Sequence, residues 1–307
     1  MFKKNKLFII AAIFSSIMFV FSGCSSSSGT NTDNKSQSKP KVVVSFNDMR
    51  EFASAIGKDK IDITTIIPNG TEPHDFEPTA KDLKTLSSAN VFIYSGLGME
   101  SWKDKVINSA NNKNLIAVDA SKDITPIKNT DADEIKEHGQ YDPHAWISLK
   151  NAEIQSKNIK DALVKADPSN KDFYEKNYKS FSKQLEDLYS EYKTKFSTVK
   201  NKNFVTGHAA FAYLCRDYGL KQNSVEGVFA EGEPSPQKLA ELVNYCKENN
   251  IKTIFVEDMV SPKVSNTLAK EVGAKVEKIY TIESKEDNKN YIQSMKSNLE
   301  MIYSSLK

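Results

Sequence analysis

Four histidines in 307 residues are the side chains best suited to chemistry in this sequence. His74 lies in Gly70-Thr71-Glu72-Pro73-His74-Asp75-Phe76-Glu77-Pro78, and His144 lies in Tyr141-Asp142-Pro143-His144-Ala145-Trp146. His208 lies in Thr206-Gly207-His208-Ala209-Ala210-Phe211, and His138 lies in the acidic stretch Asp123–Gln140 with Asp131, Asp133, Glu134 and Glu137. A neutral imidazole can ligate a transition metal, or it can be a satisfied structural residue. Proline before His74 and before His144 restricts the preceding backbone and favours ordered loops there. Residue type alone leaves both readings open for each histidine. The three cysteines are not in Cys-x-x-Cys spacing, which excludes a disulfide scaffold and a thiolate zinc cluster.

The elements that must hold these residues alternate in type. Val42–Phe46, Ile61–Ile67, Val91–Tyr94 and Leu115–Val118 are short apolar or β-branched runs suited to buried parallel strands. Helical patterns stand between them at Asp48–Ile56, Lys81–Ser88 and Trp102–Ala110. The alternation resumes after residue 199, with strands at Asn203–Thr206, Ile251–Val256 and Val276–Tyr280. Helices are expected there at Ala209–Tyr218, Gln237–Glu248, Ser261–Val272 and Asn290–Leu306. Between the halves, Tyr174, Tyr178, Phe181, Leu185, Leu188, Tyr192 and Phe196 recur every three or four residues, with no Gly or Pro in Lys171–Lys200. That spacing predicts one continuous helix, packed on the protein's own domains or paired as a coiled coil. The expected architecture is α/β: two lobes of parallel sheet flanked by helices, 41–167 and 199–307, joined by a helix over 168–198. His74 and His208 then fall just beyond strands, where α/β sheets place ligand sites.

Lys plus Arg is 42 and Asp plus Glu is 40, and only two of the cations are arginine. Nothing in this balance suggests nucleic acid as a partner. Met1–Lys6 is basic and Leu7–Phe21 is largely apolar and uncharged, the two parts of a secretory signal. Phe21-Ser22-Gly23-Cys24 resembles the lipobox of bacterial lipoproteins, with Phe21 where Leu is usual. The resemblance implies removal of residues 1–23 and lipidation of Cys24. Residues 24–40, rich in Ser, Asn and Lys, would be a flexible tether. The mature protein is thus expected on the outer face of the cell membrane, anchored by acyl chains.

Three longer segments look like signatures of one family: Pro73-His74-Asp75-Phe76-Glu77-Pro78-Thr79, Asp142-Pro143-His144-Ala145-Trp146, and Gly207-His208-Ala209-Ala210-Phe211-Ala212-Tyr213 with Tyr218-Gly219-Leu220. The chain resembles the cluster A-I, or cluster 9, solute-binding lipoproteins of zinc and manganese ABC transporters. The similarity extends through Gly232-Glu233-Pro234-Ser235-Pro236 and Tyr291–Leu299, and covers 41–307. The resemblance implies two α/β lobes on a rigid linking helix, with one metal ion in the cleft. It also implies a monomer that delivers the ion to a membrane permease and has no enzymatic activity. His74 and His144 would be ligands from the first lobe and His208 from the second. The family's acidic fourth ligand would fall in Ile279-Tyr280-Thr281-Ile282-Glu283-Ser284, where Glu283 is the only carboxylate.

Manganese members typically offer two histidines and two carboxylates, whereas this sequence resembles the zinc members with a third histidine. Imidazole suits zinc, while carboxylate and water suit manganese. Zn2+ is therefore the expected cargo, with a manganese receptor as the alternative. Asp75 and Asp142 are expected either to orient a ligand ring or to cap turns. His138 is expected to be a solvated loop residue or a weak accessory ligand. Pairing of Cys215 with Cys246 is left open. A surface zinc hydrolase would need an open coordination position, and no His-Glu-x-x-His occurs. An adhesin has no repeat or adhesive motif to support it.

Overall fold

The computed structural model describes residues 38–130, 132–230 and 234–307. The leader, Cys24 and nearly all of the tether lie outside the described residues, as do Gly232 and Glu233. Residues 39–307 form one compact unit.

The first sheet contains β1 (Lys41–Val44), β2 (Asp62–Thr65), β3 (Val91–Tyr94) and β4 (Ile116–Asp119), all parallel, in the order β2-β1-β3-β4. Val42, Val43 and Val44 are buried because β1 is an inner strand covered on both faces. Helices α1 (Asn47–Gly57), α2 (Ala80–Ser87) and α3 (Lys103–Ala110) make the crossovers. The second sheet contains β5 (Asn203–Thr206), β6 (Lys221–Ser224), β7 (Thr253–Val256) and β8 (Lys275–Lys278). Its order, β6-β5-β7-β8, repeats that of the first. The expected strands are present within a residue or two at their ends. β6 is an addition: Lys221-Gln222-Asn223-Ser224 is polar because it is an edge strand, and it carries no apolar run to betray it.

A second addition is α5 (Leu149–Ala166), which follows the shorter α4 (Ala132–His138) and the turn Ala145–Ile147. Ser148 caps α5 by accepting the Asn151 N–H at 3.1 Å. The linking segment begins with a 3-10 turn at Pro168–Asn170 and continues as α6 (Lys171–Thr198), a 28-residue helix about 42 Å long. Its buried stripe is Tyr174, Asn177, Phe181, Leu185, Leu188, Tyr192 and Phe196. Tyr178 is only half-buried. Asn177 takes an inner place by donating to the Ile56 carbonyl at 2.9 Å. The stripe packs on α5, α1 and α10 (Tyr291–Ser305) of the same chain rather than on a coiled-coil partner. Phe181 also meets Phe52 and Tyr291, with ring centroids 6.0 and 6.3 Å away. Each such buried apolar side chain contributes about 1.5–3 kcal/mol.

The remaining helices, α7 (Ala212–Tyr218), α8 (Pro236–Glu248) and α9 (Pro262–Val272), flank the second sheet. α7 starts three residues later than its pattern predicts because Ala209 is tied to the Gly227 carbonyl at 3.0 Å. Cys215 and Cys246 are buried free thiols, so the question of their pairing is answered in the negative.

Candidate metal centre

All four expected site residues converge. One ligating atom from each of His74, His144, His208 and Glu283 lies within 4.8 Å of every other. His74 is carried by the loop after β2, whose turn is closed by Thr71 N–H donating to the Pro68 carbonyl and Phe76 N–H to that of Pro73. His144 begins the short turn before α5. His208 lies two residues past β5, after Gly207, and Glu283 follows β8.

Two carboxylates set the ring orientations. Asp142 Oδ1 lies 2.9 Å from both the backbone N and Nδ1 of His144. That leaves His144 Nε2 facing the centre, 3.5 Å from Glu283 Oε1 and 3.4 Å from His208 Nε2. Glu257, from the end of β7, accepts the His208 backbone N–H at 3.2 Å and faces its Nδ1 at 3.4 Å. β5 and β7 are the strands at which the sheet order reverses, and a ligand site is expected outside their carboxyl ends. Gly207 permits the approach of Glu257, because a Cβ there would lie 2.1 Å from Glu257 Oε2. Asp75 is exposed, so of the two aspartates offered either as ring-orienting or as turn-capping groups only Asp142 faces an imidazole.

His74 is held mainly by packing. Its ring meets His144 edge-on at 5.1 Å and Phe229 at 5.2 Å. Both its ring nitrogens, and Glu283 Oε1, are buried without a hydrogen-bonding partner among the described residues. Glu283 Oε2 is occupied by the Thr281 hydroxyl, which donates at 2.8 Å. Glu286 and Asp287 turn away to Lys278, at 3.5 and 3.3 Å, which leaves Glu283 as the converging carboxylate of its loop.

The electrostatics divide the rings. Burial disfavours an imidazolium at His144, yet Asp142 and Glu283 outweigh it and push the ring up to about 9. His208 rises for the same reason, with Glu257 overcoming its burial. His74 falls well below the usual histidine range through burial and the neighbouring His144. Burial opposes ionisation of Glu283, but the three histidines hold it down at about 2. The same contacts thus favour the charged forms of His144 and Glu283 together. Zinc bonds of about 2.0–2.2 Å place tetrahedral ligand atoms roughly 3.3 Å apart. The 3.4 and 3.5 Å separations at His144 already meet this, while His74 stands 3.9 Å from Glu283.

Three neighbours escaped the sequence reading or were misplaced by it. Glu72, at 4.0 Å from His74 Nε2, is a fourth acid at the site, pushed up to about 7 by burial and Glu283. His138 is stacked on Phe229 at 4.2 Å, outside the cluster of four. Phe229 itself carried no sequence signal beyond an apolar residue in a loop.

Two parallel-sheet lobes hold a buried cluster of three imidazoles and one carboxylate, the donor set of a metal-binding protein. The model of the family "Zinc-uptake complex component A periplasmic" matches residues 42–305. The chain belongs to this family. It is 40% identical over 320 residues to the high-affinity zinc uptake system protein ZnuA of Bacillus subtilis strain 168, covering 100% of this chain and 99% of that one. The solved laminin-binding protein Lmb of Streptococcus agalactiae, described as a bifunctional protein with adhesin and metal transporting activity, is 35% identical. It has a TM-score of 0.81, covering 88% of this chain and 100% of that one. The Zn(II)-bound ZnuA-like domain of Streptococcus pneumoniae AdcA is 34% identical with a TM-score of 0.75, covering 88% and 99%.

Proposed function

We propose that this protein captures one zinc ion outside the cytoplasmic membrane and delivers it to an ABC-type permease. His74, His144, His208 and Glu283 are the ligands in this reading. The observation that carries it is the donor set itself: three imidazoles and one carboxylate, buried and converging within 4.8 Å. With His144 and His208 backed by carboxylates, each presents Nε2 to the ion. Three neutral imidazoles and one carboxylate leave a bound divalent ion with a net positive charge, in a closed four-coordinate shell. That suits zinc and leaves no position for a catalytic water. Support also comes from the zinc-bound relative. Lipidation of Cys24, tethering to the membrane face and a monomeric state complete the reading, as do two lobes bounded at 41–167 and 199–307 about the 168–198 linker.

The test is competitive titration of metal-free protein with zinc and manganese, with bound metal quantified by mass spectrometry. One zinc per chain, not displaced by excess manganese, is the expected result. Manganese holding its own would turn the assignment to manganese uptake.

A further inference from the structure

The segment that carries Glu283 follows β8 of the second sheet, yet four of the groups that grip it come from the first half of the chain. Trp146 Nε1 donates to the Thr281 carbonyl at 2.7 Å, and the Gly70 N–H donates to Ser284 Oγ at 2.8 Å. The Lys285 N–H donates to Asn69 Oδ1 at 3.1 Å. The central grip is Asn47, a buried residue at the start of α1. Its amide nitrogen donates to the Ile282 carbonyl at 3.0 Å and to the Ser284 carbonyl at 3.2 Å, straddling Glu283. Both acceptors are carbonyls, so only the nitrogen end of the amide can face them.

Between these contacts the backbone takes an unusual form. Ile282 is buried and has φ +67°, a left-handed conformation that a β-branched residue avoids. Such a residue persists only where its surroundings over-determine it. Rotation of Ile282 toward negative φ would redirect the next side chain, which is Glu283.

We propose that Asn47 is a positioning residue of the metal site. Its amide holds the carbonyls on both sides of Glu283, keeps Ile282 left-handed and aims the free carboxylate oxygen at the three histidines. It also keeps Glu283 fixed alongside His74 and His144, whereas the backbone of His208 is held by Glu257, Thr206 and Gln222 of the second half. This inference rests on Glu283 being a zinc ligand.

The experiment is a double-mutant cycle on the full-length protein with Asn47→Asp and Glu283→Ala, reading zinc affinity by competition and the visible spectrum of the cobalt(II)-loaded protein. Asn47→Asp keeps the size but sets oxygens against the two carbonyls. It should weaken zinc binding about 10–100-fold and reduce the intense absorption of four-coordinate cobalt. In the Glu283→Ala background it should change zinc affinity less than about twofold, because the two residues act as a unit. Wild-type affinity and spectrum in Asn47→Asp would overturn the proposal, as would an undiminished loss on top of Glu283→Ala. Unchanged zinc affinity in Glu283→Ala alone would instead remove the ligand assignment, and the proposal with it. Should Asn47→Asp not fold, Asn47→Ser, which removes the donors without adding charge, decides the same cycle.

Discussion

At the residue scale, the site works by giving two imidazoles a carboxylate partner and the third an aromatic one. His144 leans on Asp142, His208 on Glu257, and His74 on the rings of His144 and Phe229. Replacing Asp142 with Asn keeps an oxygen acceptor but removes the charge that makes His144 more basic. Zinc affinity should fall about 10–100-fold, with one ion still bound per chain. Isothermal titration of the variant checks this, and unchanged affinity would count against the orienting role. Protons supply the second prediction. The His144 ring sits at about 9 in the folded protein, raised above the unfolded value of about 6.5. Its contribution to stability is thus fully present below about 6.5 and is lost as pH rises through about 9. His208 is shifted the same way. The metal-free protein should melt at lower temperature at pH 9 than at pH 7, and the stabilisation gained on adding zinc should grow over that window. A flat melting temperature between those pH values in calorimetry would contradict the assignment.

At the scale of elements, the strand ends bring His208 and Glu257 together. β5 and β7 are adjacent parallel strands, so residues just past their ends meet without any long side chain reaching across. The contact is close because residue 207 has no side chain. Gly207→Ala would drive a methyl group into Glu257, which must move away from His208. The expected outcome is a loss of about 1–3 kcal/mol of stability, as for other overpacked interiors, together with weaker zinc binding. Thermal denaturation and titration of the same sample separate these two effects. The elements missed from sequence have plain physical reasons. β6 lies at a sheet edge and needs no apolar run, and α5 mixes polar Asn151, Gln155 and Ser156 into the buried face it builds from Leu149, Ala152, Ile159, Ala162 and Leu163. The α6 stripe was legible because six large apolar side chains mark its inner face. Only Asn177 in place of Tyr178 departs from it, since a carbonyl of α1 waits there for a donor.

On the scale of the whole molecule, the site is spread over the chain and becomes one object only on folding. Its residues come from the loop after β2, the turn before α5, the end of β5 and the loop after β8. An ion that binds them all favours the folded state over the unfolded one. Zinc at about 1,000 times its dissociation constant should stabilise the protein by about 4 kcal/mol. A chelator should reverse the shift in a melting experiment, and manganese should reproduce it poorly. Zinc failing to raise the melting temperature would argue that the four side chains do not bind it together.

The sequence alone determined much of this protein. Short-range patterns announced the alternating strands, the long helix and the ordered loops around His74 and His144, because each is written in neighbouring residues. Similarity to a family pointed to Glu283. What only the tertiary structure decided lies in contacts between residues far apart in the chain. Asn47 is 235 residues from the carbonyl it grips. Glu257 supports His208 because two strands lie side by side. Phe229 seals His74, and Asp75 turns outward while Asp142 turns in. No local periodicity encodes such pairings, since they follow from where two sheets place the ends of their strands.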